Sequence, residues 1–255
     1  MTRPQPEAGN WVAQLEERGR RACALPLIEI QPLSNGVAIT QAWAGLGRFK
    51  AVMFVSRFAV DEFFARRPPH QAEPASVRMW STGPGSRAAL LRHGVAADRL
   101  DSPPEDGARF DSEALWEVVA GQIRSRDNVL VVRGHDGDGP PVADGVGRDW
   151  LAQRLEQAGA QVQFMVAYQR QLPRWMAPQF ERARLAADDG SVWLFTSGQA
   201  LVHLARLLPG QSWLAARALA THPRIAQAVH GAGFGVLRET RPDLDSVVAS
   251  IESFE

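Results

Sequence analysis

Four places in this 255-residue chain set a short apolar run or a turn directly before small hydroxyl or glycine residues and a helical pattern. They are Ser56-Arg57, Thr82-Gly83-Pro84-Gly85-Ser86, Thr196-Ser197-Gly198 and Thr221-His222-Pro223-Arg224. A helix start presents free N–H groups and a partial positive charge, so each junction suits an anion. Pro84 and Pro223 fit the first helical position, where a missing N–H costs nothing. Plain helix capping would select the same residue types. Only several junctions facing one hollow would argue for a ligand with many negative charges. Tyr168, the only tyrosine, ends another apolar run. A phenol can pass a proton to a leaving oxygen, although its ordinary pKa of about 10 makes it a weak acid; it can equally be a packing residue with a satisfied hydroxyl. Lys50 is the only lysine, so arginine supplies nearly all of the 28 basic residues. Compositional bias accounts for that, and bidentate gripping of carboxylates would exploit it.

Other constellations carry less. His135-Asp136-Gly137-Asp138-Gly139 has the look of a metal loop but lacks the remaining spacing and closing glutamate of a calcium loop, and it reads as a flexible insertion. Gly231-Ala232-Gly233-Phe234-Gly235 follows a helical pattern, whereas a dinucleotide fingerprint opens one. Cys23, the single cysteine, excludes an internal disulfide and a cysteine-rich zinc site. No metal site is expected.

The elements that must position these residues come in two copies. Trp11-Val12-Ala13-Gln14-Leu15-Glu16 is echoed by Trp150-Leu151-Ala152-Gln153-Arg154-Leu155-Glu156, and each segment runs into a glycine, Gly19 and Gly159. Phe54-Val55-Ser56 is echoed by Phe195-Thr196-Ser197, and Thr82-Gly83-Pro84 by Thr221-His222-Pro223. The offsets are 140, 141 and 139 residues, nearly constant and in order, which marks an internal duplication. Short apolar runs at Ala24 to Ile30, Ala51 to Val55, Asn128 to Arg133, Val162 to Tyr168 and Ser191 to Phe195 fit buried parallel strands. Helical spacing joins Leu115, Trp116, Val118, Val119 and Ile123, and again Leu201, Leu204, Leu207 and Leu208. Alternating strands and helices predict an α/β chain of parallel sheets flanked by helices. The Gly/Pro-rich stretches Arg67–Pro74, Asp101–Gly107 and His135–Gly147 read as surface loops. The second copy has a full strand ahead of its Trp-containing helix and the first does not, so a translation start upstream of Met1 is expected; mass spectrometry of the natural protein tests this.

Composition bounds the partners. Twenty-eight basic and 28 acidic residues balance, so a nucleic-acid partner is not expected. No signal peptide and no apolar run near the ~20 residues of a membrane span is present, which favours the cytoplasm and no membrane contact.

Taken together, these residues resemble the uroporphyrinogen-III synthase family over nearly the whole chain. Thr2-Arg3-Pro4, Leu25-Pro26-Leu27-Ile28-Glu29-Ile30, Thr82-Gly83-Pro84-Gly85-Ser86, Gly147-Arg148 with Gly159-Ala160, Ala167-Tyr168-Gln169-Arg170, Phe195-Thr196-Ser197 and His222-Pro223-Arg224 each look like a short family motif. Val55-Ser56-Arg57 departs from the usual Thr-Ser, and Arg224-Ile225 stands where hydroxyl residues are common. The resemblance implies two similar α/β domains, roughly 1–33 with 171–255 and 38–166, joined by a two-stranded connection with a cleft between them.

The implied reaction is loss of hydroxide from hydroxymethylbilane and closure with ring D inverted, giving uroporphyrinogen III in haem biosynthesis without cofactor or metal. Tyr168 is then implied as the general acid or the water-positioner for hydroxide loss. The eight substrate carboxylates are implied to meet backbone amides and the residues Arg3, Ser56, Arg57, Thr82, Gly83, Ser86, Arg133, Arg148, Thr196, Ser197, His222 and Arg224. A monomer is expected, with at most transient contact to the preceding pathway enzyme. Two other readings remain open: a non-catalytic two-domain anion-binding or regulatory module, and an inactive relative serving as a scaffold. Tyr168 flanked by Arg148 and Arg170 is a feature a simple sensor would not need.

Overall fold

The computed structural model describes residues 1–33, 36–104, 107, 109–137 and 150–254. The chain divides into two compact units, Met1–Ile30 with Gln171–Glu255, and Gln31–Arg170. In chain order the elements begin α1 (Glu7–Glu17), β1 (Glu29–Pro32), α2 (Val37–Ala44), β2 (Ala51–Phe54) and α3 (Arg57–Ala65). β3 (Arg78–Ser81), α4 (Pro84–Arg92), β4 (Leu100–Asp101), α5 (Ser112–Val119) and β5 (Asn128–Asp136) follow. Then come α6 (Trp150–Gln157), β6 (Gln161–Gln171), α7 (Ala177–Leu185), β7 (Val192–Phe195) and α8 (Gly198–Leu207). β8 (Arg217–Ala220), α9 (Pro223–Gly231), β9 (Val236–Glu239) and α10 (Leu244–Glu252) complete the series.

The sheet of the 31–170 unit has the order β1-β6-β5-β2-β3-β4, and β2 pairs in parallel with both β3 and β5. All four residues of β2 are buried because helices cover both faces. The two-residue period of a strand sorts them. Ala51 and Met53 pack with Leu115 and Val119 of α5 and Leu151 and Leu155 of α6. On the other face Phe54 meets the rings of Phe63 and Phe64 of α3 at 5.4 and 6.3 Å, and Trp43 of α2 stacks on Phe63 at 4.7 Å. Truncating such a buried aromatic to alanine costs about 3–5 kcal/mol.

The other unit repeats the scheme on the parallel sheet β7-β8-β9. Trp193 and Phe195 pack with Ala200, Leu201 and Leu204 of α8 and with Val229 of α9. Leu194 and Leu219 face the opposite way, toward Leu15 of α1 and Val247 of α10. The duplicated glycines have one local cause. Gly19 and Gly159 both hold positive φ, 73° and 88°, where a side chain would be strained. Each ends a helix with the same pair of bonds, Gly19 N–H to Glu16 with Arg20 N–H to Leu15, and Gly159 N–H to Glu156 with Ala160 N–H to Leu155.

Three sequence expectations need correction. The run Ala24 to Ile30 is a strand only from Glu29; before it, Leu25 and Leu27 donate to the carbonyls of Met1 and Thr2, and two residues offer too few partners for a ladder. The pattern from Leu115 leaves the α-helix at Val119 and tightens into a 3₁₀ turn over Ala120–Gln122. The expected loop His135–Gly147 does not begin at His135, since β5 continues to Asp136. There β6 still supplies partners, His135 opposite Gln169 and Asp136 opposite Arg170. Residues 138–147 of that stretch lie outside the described residues.

Candidate active site

Four strand-to-helix junctions share one geometry. The helix-capping residues Ser56, Gly83, Ser197 and His222 are all extended, with φ between −155° and −172°, and each ends a two-residue link from a parallel strand. Ser56 Oγ accepts the Ala59 N–H at 3.1 Å, Ser197 Oγ the Gln199 N–H at 3.2 Å, and His222 Nδ1 the Arg224 N–H at 3.1 Å. These three side chains therefore satisfy one orphan amide each; at α9 the Ile225 and Ala226 N–H groups also donate to the His222 carbonyl, and Pro223 has none. Gly83 offers no such atom, and Pro84 follows it at the first helical position. Asp111 caps α5 in the same manner through Ala114 at 2.9 Å.

Within the 31–170 unit three of these helix starts open onto one cavity of about 270 Å³. Its wall includes Ser56, Thr82, Asp111 and Ser112 from the starts of α3, α4 and α5, with Arg133, Phe164, Tyr168 and Arg170 from β5 and β6. The topology explains the place. From β2 the chain moves outward through β3 and β4, whereas β5 and β6 lie on the other side, so the crevice opens at the carboxyl ends of β2 and β5, where the direction switches.

Tyr168 reaches this cavity through an irregularity. β5 and β6 pair in register up to Arg133 opposite Val166, and then Gly134 faces Tyr168, leaving Ala167 as an extra residue. The phenol ring lies across Gly134, where an added Cβ would stand 2.6 Å from Tyr168 Cζ. The Phe58 ring covers it at 5.9 Å between centroids, and Ser56 Oγ lies 2.9 Å from the phenol oxygen. Tyr168 is 2% exposed.

Arg133, 4% exposed, holds its guanidinium 3.8 Å from the centroid of the Phe164 ring. That contact gives a desolvated cation part of its compensation. Arg170 sits 2.5 Å from the Asp136 carboxylate, so its charge is shared. Thr82 Oγ1 is 3.5 Å from the Val55 carbonyl.

The remaining expected residues fall elsewhere. Arg57 lies 3.4 Å from Asp61 and over the Phe58 ring. Ser86 is buried in the first turn of α4. Arg3 lies 3.6 Å from Glu7 and over the Trp11 ring, in the other unit. Thr196, Ser197, His222 and Arg224 also belong to that unit, where Arg224 is exposed. Arg148 lies outside the described residues. Phe110, Asp111, Ser112 and Phe164 were not anticipated. Asp111-Ser112-Glu113 before an apolar run was a readable helix start, but β4 ahead of it is only two residues long. Among the described residues no group of three or more His, Cys, Asp or Glu is placed to hold a metal ion, and no helix is long and apolar enough to cross a membrane.

Comparison with known proteins supplies the family. The model of the family described as uroporphyrinogen-III synthase HemD matches residues 9–249. The uroporphyrinogen-III synthase of Escherichia coli K12 is 28% identical over 243 residues, covering 92% of this chain and 91% of that protein. The synthase of Salmonella typhimurium is 27% identical over the same coverage, and that of Synechococcus elongatus 26% over 84% of this chain and 76% of its own. A solved structure of a mutant uroporphyrinogen III synthase from the extremely thermophilic bacterium Thermus thermophilus superimposes with a TM-score of 0.57 at 14% identity, over 97% of this chain and 94% of that one. The uroporphyrinogen-III synthetase of Helicobacter pylori gives 0.56 at 13% identity, over 92% and 93%. These structures share the fold, and the family model spans nearly all of the sequence: the chain belongs to the uroporphyrinogen-III synthase family.

Proposed function

We infer that the chain carries out the family's reaction, cyclising hydroxymethylbilane to uroporphyrinogen III with loss of water, and that Tyr168 supplies the proton for the leaving hydroxyl. Membership of the family gives the reaction, a cyclising lyase step of tetrapyrrole synthesis. The residue assignment rests on one observation: the only tyrosine of the chain stands in a cavity ringed by three helix starts and lined by Arg133.

In that assignment the carbon–oxygen bond of the hydroxymethyl group breaks, and its electron pair stays on the oxygen. The oxygen takes the phenol proton and departs as water, while the pyrrole nitrogen lone pair leaves an azafulvene-like cation. Ring D then attacks through its substituted carbon, and the spiro intermediate rearranges with that ring inverted. A cavity of about 270 Å³ falls just under the usual ~300–1,000 Å³ of small-molecule sites, so it suits one pyrrole ring and not the whole tetrapyrrole. We place the hydroxymethyl-bearing ring there, with Arg133 and first-turn amides of α3, α4 and α5 meeting its carboxylates. The enzyme's task is then mostly to hold reacting groups in one geometry. A cytoplasmic location belongs to the same reading.

The test feeds enzymatically made hydroxymethylbilane to the purified protein and separates the type I and type III isomers. Type III product is expected, and Tyr168→Phe slows its formation about 100-fold, within the range of general acid help. Type I product alone would sink the enzymatic reading; an unchanged rate in the phenylalanine variant would remove Tyr168 from the chemistry.

A further inference from the structure

Ser56 serves two partners with one oxygen. It accepts the Ala59 N–H at 3.1 Å, closing the first turn of α3, and it stands 2.9 Å from the Tyr168 phenol oxygen, 112 residues away in sequence. A serine hydroxyl has one proton and two lone pairs. One lone pair is already committed to the amide. A phenol that gives its proton to a ligand must aim that proton into the cavity, so the bond between the two oxygens has to be made with the serine proton. The oxygen that donates it is itself polarised by an N–H at the positive end of a nine-residue helix, which strengthens the donation.

We propose that Ser56 is a positioning residue for Tyr168 and not a carboxylate ligand: its hydroxyl donates to the phenol oxygen, turns the phenol proton toward the leaving group and stabilises the phenolate left behind. The idea rests on the proton-donor reading of Tyr168. The balance is simple. As the carbon–oxygen bond breaks, the departing oxygen keeps the electron pair and takes the Tyr168 proton, leaving as water. The negative charge stays on the phenol oxygen, where the Ser56 O–H bond becomes charge-assisted. When the closing pyrrole loses a proton to regain aromaticity, that proton restores the phenol. Gly134 contributes as well, because its missing side chain lets the ring lie close enough for the two oxygens to meet.

The test compares Ser56→Gly and Ser56→Thr, each alone and with Tyr168→Phe, measuring kcat and KM for type III formation together with melting temperature. Glycine is chosen because it replaces serine at a helix cap with little loss of stability. Ser56→Gly is expected to lower kcat about tenfold or more, as loss of a hydrogen bond to a charged group should, with KM within about twofold. Ser56→Thr restores most of the rate. In the Tyr168→Phe background the glycine substitution changes kcat less than twofold. An equal fall in both backgrounds would overturn the proposal, as would a raised KM at constant kcat or a rate that merely follows thermal stability. If Tyr168→Phe alone runs at full rate, the proton-donor reading fails first and this proposal with it. A slow Tyr168→Phe combined with an additive Ser56 loss removes the positioning role alone.

Discussion

Gly134→Ala isolates the placement of Tyr168 from the identity of any reacting group. An added Cβ would stand 2.6 Å from Cζ, 2.7 Å from Cε2 and 3.0 Å from the hydroxyl of Tyr168, whereas ordinary contact begins near 3.4 Å. The ring must therefore retreat by close to an ångström. Phe58 blocks one side, and the residue is 2% exposed, so the free direction is the cavity. Such a retreat stretches the 2.9 Å contact to Ser56 beyond hydrogen-bonding range. Overpacking of this kind costs about 1–3 kcal/mol of stability, which a domain of this size tolerates, and a misplacement near 1 Å costs about 100-fold in rate. The assay is kcat for type III product, run beside a thermal melt and with Gly134→Ala/Tyr168→Phe as control. The double variant is expected to match Tyr168→Phe alone, since a ring without a hydroxyl has no proton to misplace. A folded Gly134→Ala protein working within threefold of the parent rate would refute the reasoning.

Two further outcomes follow from single residues. Arg133→Met keeps an unbranched apolar chain at this position but removes the guanidinium that lies over Phe164, the buried charge of the cavity; KM for hydroxymethylbilane should rise at least tenfold with kcat changed less, and an unchanged KM would place the carboxylates elsewhere. Asp243 caps α10, and although burial pulls its carboxyl upward, the Ser246 amide and hydroxyl and the Arg241 guanidinium together hold it below the usual carboxylate range. A group depressed in the folded state stabilises above its unfolded pKa and loses that contribution as pH falls through the folded value. Asp243→Ala should therefore cost about 1 kcal/mol in urea unfolding at pH 7, with the difference shrinking below about pH 4. A constant difference down to pH 2 would contradict the charge argument.

The sequence carried those features whose cause is local. A helix start needs a hydroxyl, glycine or proline at a fixed place, so Ser56, Gly83, Ser197 and His222 could be found from residue types alone, and all four cap helices. The buried strands declared themselves by unbroken apolar runs, since both sheet faces are covered. What stayed hidden depends on partners far away in the chain. The shift that sets Gly134 against Tyr168 is a property of how β5 and β6 register, and neither strand marks it by composition. The continuation of β5 through His135 and Asp136 depends on Gln169 and Arg170, so polar residues that read as a loop became strand. Asp111 has no long apolar run ahead of it to mark a strand-to-helix junction, since β4 has only two residues.

The duplication then poses a chemical question: why should one copy hold the phenol proposed as proton donor and the other none? The offset of 139 to 141 residues sets Ser197 against Ser56, and both cap helices. The same offset sets Leu27, Ile28 and Glu29 against Tyr168. In that copy the Leu27 carbonyl accepts from the buried His203 ring at 2.6 Å, so this non-strand segment ahead of β1 is tied into the core and offers no phenol. The two copies thus differ in the segment that aligns with Tyr168. The electrostatics need no such asymmetry. Each helix start carries roughly half an elementary charge from aligned peptide dipoles, which formal charge counting misses. Three starts at one cavity with Arg133 give an anion-seeking surface on a chain whose side chains sum to zero. A balanced composition therefore argues against a nucleic-acid partner while remaining compatible with a many-carboxylate ligand, because the first needs surplus basic side chains and the second can be met by backbone amides.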